Sequence, residues 1–310
     1  MGYNRRHFIG NSLTVTTALL LPSLDIFGSS KLVSGKIEKG FALKIMAPYW
    51  GFNGSVTDFC KKAKHDGYDG IEILWSSDIT MQKELFIALK EYQLAVGFLC
   101  RGDEPHPDSN FATFKKVVIE AVGNKYQQPL YINVHSGKDF FMYEENKRFI
   151  DFTVDYSKKT GVPIYHETHR SRMLYSAPAA SPYLQKNPDL RLTLDISHWC
   201  NVSESLLEDQ LATVELAISR TDHVHSRVGH AEGPQVSDPR APEWKSEVDA
   251  HFAWWDKVVN IKKEQGKMLT MLTEFGPPSY MPTIPFTNRP VADQWEINVY
   301  MMQAWKKRYL

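Results

Sequence analysis

The stretch of sequence that decides the fold is 190–198, which reads Leu-Arg-Leu-Thr-Leu-Asp-Ile-Ser-His. A short apolar run that ends in polar residues predicts a buried strand with chemical groups at its carboxyl end. With this run, eight such runs follow Gly40, at 43–49, 70–75, 95–100, 130–135, 162–169, 190–198, 223–228 and 268–275. Helical spacing lies between them at 56–65, 82–92, 110–122, 144–160, 204–219 and 247–265. This alternation predicts an α/β fold, a single (β/α)8 TIM barrel over 40–310.

Glycines and one proline-rich segment mark the connections of this barrel. Gly67, Gly123, Gly161 and Gly266 each follow a helical segment, where a left-handed cap favours glycine. The segment 229–244 is long and rich in proline, which predicts a lid or wall beside the site.

Length and composition limit the classes of function. The chain has 310 residues, near the ~250 of one barrel with insertions, and 43% of its residues are hydrophobic, enough for a packed core. Thirty-six Lys and Arg balance thirty-six Asp and Glu without a long basic run, so nucleic acid is disfavoured as a partner. Cys60, Cys100 and Cys200 lack metal or disulfide spacing and are interpreted as packing residues.

The amino-terminal sequence has the features of a targeting signal. Arg5 and Arg6 precede Phe8 and the weakly polar apolar stretch 9–24. This pattern resembles a twin-arginine export signal, so 1–35 is interpreted as a signal with its linker, and the protein as exported to a bacterial periplasm. A basic start followed by an amphipathic helix is the alternative. The polar residues in 9–24 make it a poor permanent span against the ~20 apolar residues a bilayer needs, so no stable membrane span is expected after processing.

Four consecutive predicted strands end in residues that bind metals. Strands five to eight carry Glu167, Asp195, His225 and Glu274 in that order. A barrel enzyme builds its site at the carboxyl ends of its strands, so these side chains are expected to converge. One acid at a strand end is equally compatible with a solvated or ion-paired residue, but four in strand order predict an O/N site for one divalent ion, Mn, Mg, Co or Zn.

The order Glu, Asp-x-x-His, His, Glu resembles the xylose-isomerase-like barrel superfamily, which contains sugar phosphate isomerases and epimerases and endonuclease IV. The resemblance implies that Glu167, Asp195, His225 and Glu274 are the metal ligands, and that His198 is a substrate or second-metal ligand. It also implies that Glu167 and Glu274 exchange protons with the substrate carbon. The expected activity is that of a metal-dependent sugar isomerase or epimerase that works through a metal-stabilised enediolate.

Further residues are candidates for substrate binding. His135 ends strand four and is interpreted as a substrate or second-metal contact, or as a hydrogen-bonded rim histidine. Arg170 and Arg172 offer donors to carboxylate, phosphate or hydroxyl groups. For Arg172, a surface ion pair is the equal alternative. Trp50 follows strand one, where stacking on a sugar and ordinary wall packing are both open. Arg227 is the second residue of the segment 226–244, which resembles a subgroup described as sugar phosphate isomerases or epimerases.

Three further polar residues are weaker candidates for the functional site. Glu72 is expected inside the barrel near the site or in a buried structural ion pair. His166 and His223 are predicted to face the helices, on the argument that they alternate away from Glu167 and His225 along their strands.

Several functions remain open at this point. Ketohexose epimerases have a further Glu shortly after the strand-five ligand, and Thr168 to Met173 contain none, which disfavours a plain ketohexose. A lyase or hydratase on oxidised (keto) glycosides would use the same metal site. An endonuclease IV-like nuclease is less favoured, because strands two and three end in Trp75 and Arg101 rather than histidine. A non-catalytic sugar-binding barrel is the last alternative. The expected partner is a small-molecule carbohydrate, and assembly as a homo-oligomer is left open.

Overall fold

The computed structural model describes residues 40–310, which form a closed barrel of eight parallel strands. Each strand pairs with the next in sequence, and β1 closes the barrel against β8. The predicted single (β/α)8 barrel is therefore confirmed. The strands are β1 Ala42–Pro48, β2 Gly70–Leu74, β3 Ala95–Arg101, β4 Tyr131–His135, β5 Ile164–Glu167, β6 Leu192–Leu194, β7 Thr221–His225 and β8 Met268–Leu272.

Nine α-helices surround or follow these strands in the described part of the chain. They are α1 Val56–Asp66, α2 Ile79–Tyr92, α3 Pro107–Val122, α4 Tyr143–Thr160, α5 Ala177–Lys186, α6 Ser197–Ser203, α7 Leu211–Arg220, α8 Lys245–Gln265 and α9 Gln294–Tyr309. A short hairpin of β9 Thr283–Ile284 and β10 Arg289–Pro290 lies between β8 and α9.

The helix ends follow local chemistry. Asp78 begins α2 by accepting bonds from the backbone N–H groups of Thr80 and Met81. Gly67, Gly161 and Gly266 end their helices with positive φ, as predicted. The prediction was wrong for Gly123, whose φ is −82°, because the side-chain amide of Asn124 donates to the carbonyl of Ala121 and closes the helix instead.

Two predicted boundaries were wrong near β6. The run 190–198 contains a strand of only three residues, because the Asp195 carboxylate accepts from the backbone N–H of Ser197 and α6 starts there. The helix predicted over 204–219 begins only at Leu211, since Glu204 adopts a left-handed conformation (φ 48°) that ends α6. Helices α5, α6 and α9 were not predicted.

The core positions the site at one end of the barrel. Between the strands and the outer helices, apolar side chains such as Phe59, Phe114 and Trp255 are fully buried, each contributing roughly 1.5–3 kcal/mol or more. Inside the barrel, a smaller cluster of Met46, Tyr131 and Leu272 fills the space between the strands. The interior is thus packed, and the remaining space is at the carboxyl ends of the strands.

The segment 229–244 packs beside the end of β8. Gln235 exchanges two hydrogen bonds with the backbone of Gly276, which follows Glu274 by two residues. Gly229 donates to buried His251 of α8. This placement agrees with the predicted wall beside the site. The export signal and linker predicted over 1–35 lie outside the described residues, and none of the helices within 40–310 is long and apolar enough to cross a membrane.

Candidate metal centre

The four predicted metal ligands meet at the carboxyl ends of strands β5 to β8. Glu167 is the last residue of β5, Asp195 follows β6, His225 is the last residue of β7, and Glu274 follows β8. One ligand atom from each lies within 4.8 Å of the others. The parallel order of the strands brings these ends to one rim, which explains how residues more than a hundred positions apart form one cluster.

The cluster has the donor set and the unpaired atoms that a divalent cation requires. Glu167 Oε1, His225 Nδ1 and Glu274 Oε2 are buried and have no hydrogen-bond partner among the described residues. His225 Nδ1 lies 3.6 Å from Glu167 Oε1. Buried carboxylate oxygens without a partner are costly, and three carboxylates with one imidazole suit Mn²⁺, Mg²⁺, Co²⁺ or Zn²⁺. The residues present therefore fit the metal that the sequence predicted.

Asp195 is held by two neighbours. Its Oδ1 accepts bonds from the backbone N–H and the hydroxyl of Ser197, and its Oδ2 pairs with Nη2 of Arg227. The same Nη2 lies 3.6 Å from Glu274 Oε2 and donates to His198 Nε2 at 2.8 Å. Arg227, predicted to bind substrate, is thus buried against two of the acids, while its Nη1 has no partner in the described chain. The guanidinium partly neutralises the cluster.

Burial and neighbouring charges move the pKa values of the ligands in different directions. Burial raises the pKa of Asp195 to about 7; Arg227 opposes this shift, and Glu274 and Glu167 add to it. Burial alone would raise the pKa of Glu167, but the charges of His135 and His225 and the hydrogen bond from His135 bring it well below its usual value. Burial alone would lower the pKa of His225, but the charges of Glu274, Glu167 and Glu72 outweigh burial and raise it well above its usual value. A cation must therefore displace protons from the cluster.

Glu167 is oriented by two donors on β4. Its Oε2 accepts from Asn133 Nδ2 at 2.7 Å and from His135 Nε2 at 2.8 Å. These bonds leave Oε1 directed at the cluster. His135 was predicted as a substrate or second-metal contact or a rim histidine; the structure places it against a metal ligand and at the edge of a cavity. Asn133 was not predicted, although it precedes His135 by two residues and so shares its face of β4.

A buried polar layer lies beneath the metal ligands. Glu72 accepts from the Tyr131 hydroxyl at 2.9 Å and from Asn133 at 3.3 Å. His223 Nε2 lies 3.4 Å from Glu72 Oε2, and His225 Nε2 lies 3.6 Å from Oε1. Glu72 is therefore inside the barrel, as one of its two predicted placements had it. Its charge faces Nε2 of His225, the ring nitrogen on the side away from the metal cluster.

The two histidines predicted to face the helices differ. His166 is next to Glu167 and does point outward, where its ring nitrogens contact Ser136 Oγ and Thr153 Oγ1, both at 2.6 Å. The prediction for His223 was wrong. It precedes His225 by two residues, and since strand side chains alternate with a period of two, both histidines face the barrel interior.

Three histidine rings stand in a row beside Glu167. The His169 ring centre lies 4.5 Å from that of His135 and 4.0 Å from that of His198. His198, predicted as a substrate or second-metal ligand, is fully buried and accepts from Arg227. Burial lowers the pKa of both His169 and His198 well below the ordinary value, so these rings are neutral.

A cavity of about 800 Å³ opens beside the cluster and is bordered by Glu274, His135, His169 and Arg227. Trp50 also borders it, half-exposed, with its ring edge to face with Tyr280 at 5.0 Å. Arg170, predicted to bind substrate, instead lies over the Tyr280 ring at 4.9 Å and is not part of the cavity wall. The site thus has a deep charged end with an open approach.

Two further side chains refine the predicted picture. Arg172 bonds to Asp103 Oδ1 at 3.1 Å and to the Gly102 carbonyl at 3.0 Å, so it does form an ion pair. Unlike the surface ion pair predicted as one alternative, its side chain is buried and borders the cavity. Tyr280 was not predicted; its ring lies 4.6 Å from the Arg227 guanidinium and borders the cavity. No pattern could have indicated it, because it lies in a loop rather than at a strand end.

No protein-family model and no curated protein matches the sequence. Solved structures do match. A 3-keto-D-glucoside 4-epimerase from E. coli aligns with a TM-score of 0.57 and 15% identity, covering 86% of this chain and 100% of that chain. The probable 3-DHS dehydratase of Bacillus anthracis aligns with 0.56 and 14% identity over 86% and 99% of the chains. A family 2 AP endonuclease from Brucella melitensis aligns with 0.56 and 13% over 84% and 98%.

These neighbours share the (β/α)8 barrel fold with this chain. At this level of identity the likeness concerns the fold. The three neighbours are named for different activities, so the activity of this chain has to be argued from its own site.

Proposed function

We propose that this chain is a divalent-metal-dependent isomerase or epimerase that moves a proton at the carbon beside a keto group of a carbohydrate. One observation carries the proposal: Glu167 Oε1 and Glu274 Oε2, on β5 and just after β8, are buried, unpartnered and directed at a shared cluster with Asp195 and His225. Two carboxylates that approach from different strands can remove a proton and return one.

We assign the two glutamates different catalytic roles according to their access to the cavity. Glu274 borders the cavity, and we assign it the removal of the proton. Glu167 is fully enclosed, with Oε2 fixed by Asn133 and His135, and we assign it the return of a proton through Oε1. Glu167 takes this proton from solvent before each turnover and ends the turnover ionised, while Glu274 ends it protonated and releases its proton to solvent. A divalent ion held by Glu167, Asp195, His225 and Glu274 would stabilise negative charge on the substrate oxygens. Arg227 keeps Asp195 and Glu274 in place by its charge.

Deuterium incorporation tests this proposal. The Mn²⁺-loaded protein is incubated in D₂O with a set of keto-sugars and keto-glycosides, and products are followed by mass spectrometry. Epimerisation adds deuterium at one carbon without any other change of formula. Glu274→Gln should abolish this exchange, whereas Glu167→Gln should leave exchange by Glu274 but abolish the inverted product. Exchange that is equal in both variants and the unmodified protein contradicts the assignment.

A second candidate is a lyase or hydratase on keto-glycosides. It is favoured by one observation: of the two glutamates, Glu274 alone borders the cavity, and the His135 and Tyr280 side chains beside it could protonate a leaving group. The fold neighbours named for a 3-keto-D-glucoside and for a dehydratase fit this candidate as well. In the same incubation, elimination or hydration changes the product mass, so one experiment separates the two candidates.

The nuclease alternative receives no support from the rim residues. Strand β2 is followed by Trp75 and β3 ends in Arg101, which is paired with Asp103 at 2.8 Å, so histidine ligands are absent at these described positions. Incubation of the metal-loaded protein with an abasic DNA duplex is the direct test, and cleavage would favour this alternative.

We also propose that the protein acts after export, on an unphosphorylated substrate, because phosphorylated sugars are usually cytoplasmic. The paired Arg5 and Arg6 are the observation that supports export. Fractionation of cells that express the full chain or its Arg5→Lys, Arg6→Lys variant tests this. Equal amounts of both chains in the periplasmic fraction would contradict it.

A further inference from the structure

The rim of the barrel is divided into a charged half and an apolar half. Strands β5 to β8 supply the three carboxylates and His225. On the other side, Leu74 of β2 is the register partner of Leu99 of β3, two residues beyond the pair Glu72 and Gly97. Since inward positions recur every second residue, Leu74 and Leu99 occupy the places above Glu72 where the opposite half of the rim carries its ligands.

The cavity extends over both halves. Its charged end is the metal centre, and its other end is a surface that we call the apolar wing, formed by Trp50, Phe52, Leu74, Trp75, Met81 and Leu99. Three of these side chains are well exposed: Trp50 by 41%, Leu74 by 49% and Met81 by 55%. A contiguous group of exposed apolar side chains next to a site is the usual sign of a ligand-binding surface.

The apolar wing offers few partners for hydroxyl groups. The indole N–H of Trp75 is directed at Glu120, 3.3 Å away, and the guanidinium of Arg101, which also borders the cavity, is paired with Asp103. Two border residues near this surface carry hydroxyls: Ser76, which is close to the Met81 sulfur at 3.5 Å, and Tyr49, which donates to the Gly54 carbonyl at 3.4 Å. The hydroxyl of Tyr280 belongs to the charged end, where its ring lies against Arg227. A sugar ring placed here would leave most of its hydroxyls without donors or acceptors, at a cost for each one. An apolar group would gain about 25 cal/mol for each Å² it buries.

We propose that the natural substrate is a glycoside with an aromatic or otherwise apolar aglycone, whose sugar ring lies at the metal centre and whose aglycone lies on the apolar wing. This inference rests on the proposed carbohydrate activity and specifies its substrate class. The volume supports it, since about 800 Å³ is near the upper end of the ~300–1,000 Å³ typical of drug-sized ligands. Trp50 stands between the two ends and is placed to cover the linkage.

Binding of two unreactive ligands tests the inference without turnover. Phenyl β-D-glucoside and methyl β-D-glucoside share the sugar and lack a keto group, so neither undergoes the proposed chemistry. The Mn²⁺-loaded full chain is titrated with each by calorimetry at several temperatures. We expect the phenyl glucoside to bind at least about tenfold more tightly, with a more negative heat-capacity change, because its ring leaves water.

Matched variants on α2 locate the aglycone. Met81 borders the cavity, whereas Ile87, at a different position of the same helix, is also well exposed and does not. Met81→Glu should abolish most of the preference for the phenyl glucoside, and Ile87→Glu should leave it unchanged. Because both side chains are on the surface, both variants should fold, which circular dichroism verifies.

The outcomes separate this inference from the proposed function. Equal affinities for the two glucosides, no measurable binding of either, or equal effects of Met81→Glu and Ile87→Glu overturn the inference. The deuterium experiment is read independently with small keto-sugars that lack an aglycone. Exchange on those sugars without a phenyl preference leaves the activity standing and removes the aglycone site. A phenyl preference without exchange on any keto-glycoside supports the site and overturns the activity.

Discussion

His225 Nδ1 lies 2.7 Å from Glu274 Oε2, yet the two atoms do not form a hydrogen bond. Such a close approach without bonding geometry is what two ligands of one cation show when their lone pairs point at a shared position rather than at each other. Glu167 Oε1 is the third unpartnered buried atom of the cluster. The metal centre is thus supported by local geometry as well as by the order of the strands.

Metal affinity should rise with pH across the neutral range. Metal binding requires ionised Asp195, whose pKa burial raises to about 7, and neutral His225, whose pKa the nearby carboxylates raise against burial. Protons therefore compete with the cation below about pH 7 and lose as the pH rises. Calorimetric Mn²⁺ titrations on both sides of pH 7, in buffers of different ionisation enthalpy, should show tighter binding and fewer released protons at the higher pH.

Asp195→Asn provides the control for that pH dependence. The amide has the same shape but cannot ionise, so this variant should bind Mn²⁺ more weakly at every pH and lose the part of the dependence centred near 7. A wild-type affinity that does not change with pH would contradict the assignment of Asp195 as a ligand.

Removing the hydrogen-bond donor of His135 should lower Mn²⁺ affinity more than it lowers the stability of the metal-free protein. His135→Phe deletes the bond to Glu167 Oε2 at 2.8 Å, which orients the ligand oxygen Oε1. Losses of a neighbour that orients a ligand typically cost about 10–100-fold in metal affinity or activity. Mn²⁺ affinity by calorimetry and thermal unfolding of the metal-free protein separate the two effects.

His166→Phe is the matched control. His166 is also buried and bonded twice, but to Ser136 and Thr153 on the side of the helices. Its replacement leaves the Ser136 hydroxyl without a partner, while the Thr153 hydroxyl still donates to the backbone of α4. The variant should lower the free energy of unfolding by roughly 1–3 kcal/mol, with little effect on Mn²⁺ affinity. Equal losses of Mn²⁺ affinity in both variants would mean that His135 has no specific role.

The barrel and the convergence of the four candidate ligands could be predicted from the sequence because both depend on order along the chain. An acid or histidine that ends an apolar run must lie at the rim once eight parallel strands close into a barrel. The positions of Glu167 and Asp195 could therefore be predicted without knowing how the loops fold. Tyr280 could not be found in this way, because a loop residue is positioned by its tertiary contacts with Arg227 and Trp50. His223 could have been placed correctly, since the period of two already put it on the face of His225.

The secondary structure that was missed has a different cause. Helix α5 contains Pro182 and begins with Pro178 in its first turn, so its propensity is low and its packing decides the conformation. Helix α6 starts only because Asp195 accepts from the N–H of Ser197. Neither helix has the periodic spacing of apolar residues by which a helix is recognised in a sequence. The apolar wing has the same character, because Leu74 and Leu99 become neighbours only through the register of β2 and β3.

Replacing Glu72 with Gln should destabilise the metal-free protein in a pH-dependent way. Burial alone would raise the pKa of Glu72, but the charges of His225 and His223 bring it well below its usual value of 4.5. A lowered folded pKa means that the carboxylate contributes stability above about pH 4.5 and loses it as the pH falls toward the folded pKa. Breaking such a buried pair costs roughly 3–5 kcal/mol.

Urea unfolding of both proteins over a range of pH tests this. The difference in unfolding free energy between wild type and Glu72→Gln should be constant from neutral pH down to about 4.5 and should shrink below it. A difference that already declines between neutral pH and 5 would show that a histidine of the layer, rather than Glu72, governs the effect.

Gly97 should be required for the polar layer under the metal centre. A Cβ at Gly97 would lie 2.3 Å from Cζ of Tyr131, the residue whose hydroxyl donates to Glu72. Gly97→Ala must therefore shift a fully buried tyrosine in a packed interior, which we expect to cost roughly 1–3 kcal/mol and to weaken Mn²⁺ binding through Glu72 and His225. Gly161→Ala is the control, because its Cβ would meet no atom within 4 Å and its left-handed φ of 72° adds only backbone strain of about 1 kcal/mol. Thermal unfolding and Mn²⁺ calorimetry on both variants check this: Gly161→Ala should lose stability alone, and intact Mn²⁺ affinity in Gly97→Ala would show that the tyrosine and Glu72 do not support the ligand above them.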